Sequence, residues 1–330
     1  MTLKASTGAP FARLYSVGSA TPSRVIDNEY LCQFIDSSDE WITQRTGISE
    51  RRWVGEGENI ETLSITAATS ALDRSGIARD QIDAVIVATI SHYYQTPALA
   101  PKLAGLLGLG DVAAYDISAA CAGFSYAIAQ AEALVRGGQA HYVLVVAGET
   151  ISDITDLTDR GTAFLFGDGA GAAVVGPSDT NGIGPVVWGS DGDQYDKIWM
   201  DNGIAGAVES GTFPTIRMDG QAVFKWATGY ITEATRRCLD VAGITADELD
   251  VFIPHQANNR ITDTMLRYLK LPEHVVVART IKTLGNNSAA TIPMAMDALL
   301  TSGEAKSGQT ALIIGFGAGL VYSGQVITLP

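Results

Sequence analysis

Cys121 stands in DISAACAGFSYAIAQ, residues 116–130, with alanine or glycine on both sides, where a strand pattern gives way to a helix pattern. A thiol in the first turn of a helix faces unpaired N–H groups and the positive end of the dipole, which predicts a lowered pKa. Its small neighbours leave room for a carbonyl and let backbone N–H groups approach, an arrangement suited to acyl transfer. Taken alone, Cys121 reads equally well as a small core residue, because free cysteine is often buried. His255, one of four histidines, lies in VFIPHQANNR (251–260) between an apolar strand and a helix. That is a strand C-terminal end, where α/β sites gather. A lone histidine there is more often structural, but Pro254, Gln256, Asn258 and Asn259 make a polar cluster poorly suited to a core. Asn286 in LGNNSAA (284–290) follows a glycine, the usual setting of a turn or cap residue.

Bringing three such residues together requires a particular scaffold, and an internal repeat supplies one. LDRSGIARDQIDAVI (72–86) and LDVAGITADELDVFI (239–253) match over their whole length at an offset of 167 residues, about half the chain. Each copy reads as a helix end, a glycine C-cap (Gly76 or Gly243), a turn and a buried strand. The offset carries Cys121 to 288, inside GNNSAATIPMAMDALLTSG (285–303), and pairs HYVLVVAGE (141–149) with TALIIGFGAG (310–319). Two duplicated halves follow, 1–177 with the cysteine and 178–330 with the histidine and asparagine. Strands without period-two polarity, alternating with helices, predict parallel sheets covered on both faces. The helices after Cys121 and Asn286 carry only Glu132 and Asp297 in their central turns, which predicts burial between two sheets. If a pseudo-dyad relates the halves, the starts of these helices converge, and Cys121 and Asn286 face one pocket with His255 beside them.

Composition excludes several classes. Hydrophobic residues make up 46 % and charged residues 18 % of the 330, as expected of a large folded core. A formal charge of −14 disfavours nucleic acid or an anionic membrane as the bulk partner. The longest apolar runs, AVIVATI and YVLVVAG, are strand-length, and the N-terminus lacks a leader pattern, so a cytoplasmic protein is expected. Three scattered cysteines (Cys32, Cys121, Cys238) form neither a disulfide framework nor a metal motif, and no metal is expected. The glycine runs GDGAG and GFGAG do not begin complete βαβ nucleotide sites and read as close backbone contacts.

The ordered motifs VGSATPSRVIDNEYL, IDSSDEWITQRTGISERR, DISAACAGF, FLFGDGAGAAVVG, GQAVFKWA, VFIPHQANNRI, GNNSAATIP and IGFGAGLVY span nearly the whole chain. Together they resemble the β-ketoacyl-acyl carrier protein synthase III family, its actinobacterial branch in particular. The resemblance implies an α/β thiolase fold with duplicated halves in a five-layered αβαβα arrangement. It implies Cys121 as the acyl-accepting nucleophile, completed by His255 and Asn286, with an oxyanion hole from the N–H groups of Cys121 and Ala318. Acyl-CoA and malonyl-acyl carrier protein are the implied substrates, with no cofactor besides, and the implied assembly is a homodimer.

Trp41, Arg45, Arg160, Gly220, Phe224, Lys225 and Asn258 match positions that line the family's CoA and pantetheine tunnel, although each basic residue alone reads as solvated surface. Arg260, Arg267 and Lys270 form a basic spot suited to an acidic carrier protein. Thr96 and Phe166 are placed at the acyl pocket; Thr96 stands where enterobacterial enzymes carry a phenylalanine that caps the partner's pocket, leaving room for longer or branched primers. Asn287 replaces a common threonine, with an expected effect on turn geometry alone. Segment 188–217 matches the family's mobile covering loop.

The rival readings are a papain-like protease, a degradative thiolase lacking its second cysteine, and a non-enzymatic scaffold. Two more lie within the family: a polyketide starter-unit synthase and an acyltransferase to an alcohol.

Overall fold

The computed structural model describes residues 3–330; Met1 and Thr2, which open the N-terminal half as read from sequence, lie outside it. Two five-stranded sheets are stacked with two buried helices between them. The first sheet runs Phe11–Ala20, Asp168–Ser178, Tyr142–Thr150, Ile82–Ala88, Ala113–Ile117. The second runs Val187–Ser190, Val321–Thr328, Thr310–Gly317, Val251–Pro254, Val276–Val277. The two orders correspond place by place, with the repeated strands fourth in each.

Alternation along the strands explains the layering. Ala84, Ile86 and Ala88 face the middle layer, while Val85 and Val87 pack outward beneath the helices Ile60–Ser75 and Leu99–Leu107. In the second sheet Val251 and Ile253 face inward, and Phe252 packs under Thr232–Ala242 and Asn259–Leu269. The middle layer holds Gly123–Arg136 and Thr291–Ser302, giving the five layers. Gly76 and Gly243 end their helices at φ 69° and 70°, as the repeat predicted.

The sheets are mixed, which corrects the expectation of parallel ones. The third, fourth and fifth strands of each run parallel, but the first and second pair antiparallel, as do the second and third. Apolar strands buried on both faces look alike in either direction; the connections decide. Gly317 and Val321 pair across a hairpin far too short for a helical crossover.

Segment 188–217 is also more structured than a bare covering loop. Ile198–Met200 and Ile216–Met218 form a two-stranded ribbon, joined through the exposed helix Gly203–Ser210. Arg217 fastens it, with Asp201, Asp156 and Asp159 at 2.8, 2.9 and 3.3 Å.

Candidate active site

Two matching kinks begin the buried helices. Cys121 sits in the 3-10 turn Ala120–Ala122, entered through Ala120 at φ 44°; its twin is Ser288–Ala290, entered through Ser288 at φ 49°. A positive φ at residues other than glycine is costly, so the surrounding packing must hold both turns. These kinks, and the helix starts Gly123 and Thr291, lie 168 residues apart, one more than the repeated strands. The counterpart of Cys121 is therefore Ala289, and Asn286 precedes the kink by two residues rather than matching the thiol.

The small residues around Cys121 answer to packing. A Cβ on Gly317 would lie 2.9 Å from the Cys121 nitrogen and Cβ, and one on Gly123 would lie 2.9 Å from the Ala88 Cβ and 3.3 Å from the Ala289 Cβ. Both helix starts and both strand ends meet at this point, so any larger side chain would push them apart.

Cys121, His255 and Asn286 line one narrow cavity of about 70 Å³, with Phe166, Asn258, Phe316 and Ala318 also in its wall. A wider recess of about 750 Å³ adjoins it, sharing Ile90, Ala120, Ile198, Ile216 and Ala318 and bounded by Tyr126, Trp199 and Met200.

Burial governs the electrostatics. It pushes the Cys121 thiol up to about 12, with the Glu149 carboxylate raising it further and the Ser288 hydroxyl and its own N–H opposing. The direction is opposite to the lowering expected from the helix start, because loss of solvent around this half-buried residue opposes the stabilisation available from one helix turn. His255 is 2 % exposed, and burial holds it down at about 3. The pair rests as neutral thiol and neutral imidazole, and each can charge only when the other's opposite charge, or a substrate's, compensates.

Hydrogen bonds orient the two partners. His255 Nδ1 lies 2.7 Å from Thr291 Oγ1, and its ring meets Phe316 edge to face. Asn286 is held at both backbone groups, its N–H donating to Leu165 O and its carbonyl accepting from Gly167 N–H. Its Oδ1 accepts from Ser288 N–H at 2.9 Å, which fixes the amide orientation and reserves the Nδ2 hydrogens. Asn287 acts locally, with Nδ2 donating to Asp168 O and Leu284 O.

The remaining predicted residues fall into separate groups. The exposed Arg45 and Arg160 guanidinium groups lie 5.7 and 5.4 Å from the half-buried Trp41 ring, forming a cationic-aromatic cluster. Asn258 joins this cluster to the cavity by donating to Arg45 O. Arg260 covers Phe224 at 5.4 Å; Gly220, Lys225, Arg267 and Lys270 are exposed nearby in sequence on two helices or their ends. Phe166 lines the cavity, whereas Thr96 is exposed and belongs to neither recess. Sequence reading missed Thr291, Ser288 and Glu149. Glu149 was detectable as a lone carboxylate ending an apolar strand run: it is fully buried, its Oε2 accepting from Thr89, Ile90 and Ser91 while Oε1 has no partner.

Among the described residues no helix is long and apolar enough to cross a membrane, and no cluster of His, Cys, Asp and Glu has metal-binding geometry. Residues 115–192 match the family model for 3-oxoacyl-[acyl-carrier-protein] synthase III, and 239–329 match that for its C-terminal part. The chain is 53 % identical over 333 residues to the β-ketoacyl-[acyl-carrier-protein] synthase III of Streptomyces glaucescens, with 99 % of each covered. It is 46 % identical over 329 residues to the corresponding protein of Mycobacteroides abscessus, covering 98 % of this chain and 96 % of that one. A crystal structure of a priming β-ketosynthase from a polyketide pathway superposes with TM-score 0.97 at 44 % identity, covering 100 % of this chain and 99 % of that one. The 3-oxoacyl-(acyl carrier protein) synthase III of Pseudomonas aeruginosa superposes with TM-score 0.90 at 36 % identity over 97 % and 98 % of the two chains. With the fold, the cavity and these likenesses in agreement, the chain belongs to the 3-oxoacyl-[acyl-carrier-protein] synthase III family of condensing acyltransferases.

Proposed function

We propose that this protein condenses an acyl-CoA primer with malonyl-acyl carrier protein to give 3-oxoacyl-acyl carrier protein, the initiating step of type II fatty acid synthesis. The observation that carries the reading is the single cavity shared by a thiol, an imidazole and a carboxamide with the Ala318 backbone. In the first half-reaction the Cys121 proton passes to His255 and the sulfur attacks the primer thioester. The N–H groups of Cys121 and Ala318 face the tetrahedral oxygen, each such donor being worth about 3 to 4 kcal/mol. CoA leaves with the proton.

In the second half-reaction the malonyl thioester loses CO2, and negative charge gathers on its carbonyl oxygen. Asn286 Nδ2 and a His255 N–H supply hydrogen bonds to it, and the enolate carbon attacks the acyl-cysteine. Trp41 with Arg45 and Arg160 suits an adenine ring and phosphates, while Arg260, Arg267 and Lys270 suit the acidic carrier protein. The wide recess beside Cys121 supports primers larger than acetyl. Thr96, exposed and outside the lining of both recesses, supports a homodimer in which it meets the partner's pocket. A cytoplasmic location goes with these water-soluble substrates.

Intact mass after exposure to a panel of acyl-CoAs tests the reading: adducts are expected in the wild type and absent in Cys121→Ala, and a wild type that takes no acyl group defeats it. The likeness to the priming β-ketosynthase supports a second reading, starter-unit synthesis for a polyketide. Comparing turnover with carrier proteins from fatty acid and polyketide pathways separates the two.

A further inference from the structure

Thr291 connects the two turns to the imidazole. Its hydroxyl lies 2.7 Å from His255 Nδ1 and 3.0 Å from the Ser288 carbonyl oxygen, and all three residues are buried. A hydroxyl has one proton, and a carbonyl oxygen can only accept. With the Thr291 proton directed at the Ser288 carbonyl, which also accepts the Thr291 backbone N–H, Oγ1 meets Nδ1 as an acceptor. Nδ1 carries the imidazole hydrogen, leaving the lone pair on Nε2, the nitrogen turned away from Thr291. Burial keeps the ring neutral, so this single tautomer describes the resting site.

We propose that Thr291 is a positioning residue that sets the His255 tautomer, making Nε2 a proton acceptor at rest and a donor to the enolate only after it has taken up a proton. The proposal rests on the condensation reaction above. In acylation the proton moves from Cys121 Sγ to Nε2, the carbon–sulfur bond to CoA breaks, and the CoA sulfur takes the proton from Nε2. In condensation Nε2 takes one proton from solvent as the negative malonyl carboxylate arrives. CO2 leaves, and the enolate oxygen accepts from Nε2–H and from Asn286 Nδ2. The new carbon–carbon bond then expels the Cys121 thiolate, which recovers the Nε2 proton. One proton is consumed overall, as the conversion of a carboxylate to CO2 and of a thioester to a free thiol requires.

The groups that could disturb this scheme are few. Cys121 is the other titratable side chain in the cavity wall. Glu149 stands behind Ser288. Asp168, beside the Asn287 turn, is tied to Ser152 and Val54, and Asp297 on the Thr291 helix is tied to Arg74 and Ser19.

Long-range proton–nitrogen spectra of the 15N-histidine-labelled protein read the tautomer directly, and four histidines make assignment practical. The substrate-free wild type is expected to show His255 protonated at Nδ1, Thr291→Val to show a population protonated at Nε2, and Thr291→Ser to restore the wild-type pattern. Acylation of Cys121 by acyl-CoA should slow roughly 10²-fold in Thr291→Val and recover in Thr291→Ser. Malonyl decarboxylation by Cys121→Ala should fall about tenfold per pH unit as pH rises above neutrality, and that slope should flatten when Thr291→Val is added. A wild-type ring protonated at Nε2 overturns the proposal, and this arm stands even if Thr291→Val fails to fold. An Nδ1–H ring in a protein that never takes an acyl group would instead refute the reaction and leave the tautomer intact.

Discussion

The turn at Ala120–Ala122 and the turn at Ser288–Ala290 share one backbone and carry different side chains. Both enter a buried helix through a residue at positive φ, and both pack at the ends of corresponding strands. In the first, the position after the kink holds the thiol; in the second it holds Ala289, and the polar side chains near the cavity are Asn286 before the kink and Thr291 after it. Two turns of matching backbone thus differ in the side chains they present, a thiol at one and a carboxamide at the other. His255, just past the end of a second-sheet strand, shares the cavity with both.

The largest effect should come from removing the thiol. Cys121→Ala is expected to lower primer transfer by more than about 10³-fold, and adding Ala289→Cys should not restore it. Acyl-adduct mass and turnover with malonyl-carrier protein measure this; recovery by the second cysteine would show that the two turns are functionally interchangeable. Changing the donor side should cost nearly as much. Asn286→Asp puts negative charge against the forming enolate, and CO2 release from malonyl-carrier protein should drop about 10²- to 10³-fold, while acylation of Cys121 falls far less.

A stability difference is expected for His255. Its folded pKa, about 3, lies below the ordinary value of 6.5, so the unfolded chain binds more protons between these limits. Stability owed to the neutral ring is complete above pH 6.5 and is lost as pH falls. Relative to His255→Asn the loss should reach about 2 kcal/mol between pH 6.5 and roughly 4.5, its slope rising toward about 1.4 kcal/mol per pH unit. Urea unfolding at several pH values measures it, and parallel curves for the two proteins would contradict the burial argument. Glu149 and Asp168, raised by burial, act in the opposite sense and cancel in this difference.

The smallest effect is steric. Gly317→Ala places a methyl group 2.9 Å from Cys121 and should cost about 1 to 3 kcal/mol in urea unfolding. The same change at Gly303, where nothing lies within 4 Å but φ is 79°, should reflect backbone strain alone. Equal costs at the two sites would remove the packing explanation for the small residues around the thiol.

Much of this was readable beforehand, for definite reasons. The repeated segments carry their own helix ends and glycine caps, so the related halves and the places of corresponding strands were legible from local pattern. Apolar composition marked the helices that fill the middle layer. Strand direction was not legible, because a strand buried on both faces has the same composition whichever way it runs. The one-residue slip that gives Cys121 the counterpart Ala289 was hidden too, since small residues occupy both turns and any alignment of them scores alike.

Residue types and order alone determined that a thiol, an imidazole and a carboxamide were present on an α/β scaffold with two related halves. Tertiary structure decided what each can do. Desolvation, which depends on everything packed around a group, reversed the expected shift of the Cys121 thiol. A hydroxyl 36 positions along the chain from His255 is the group that tertiary structure brings against its Nδ1. Both are properties of surroundings assembled from distant segments, and no local stretch of sequence contains them.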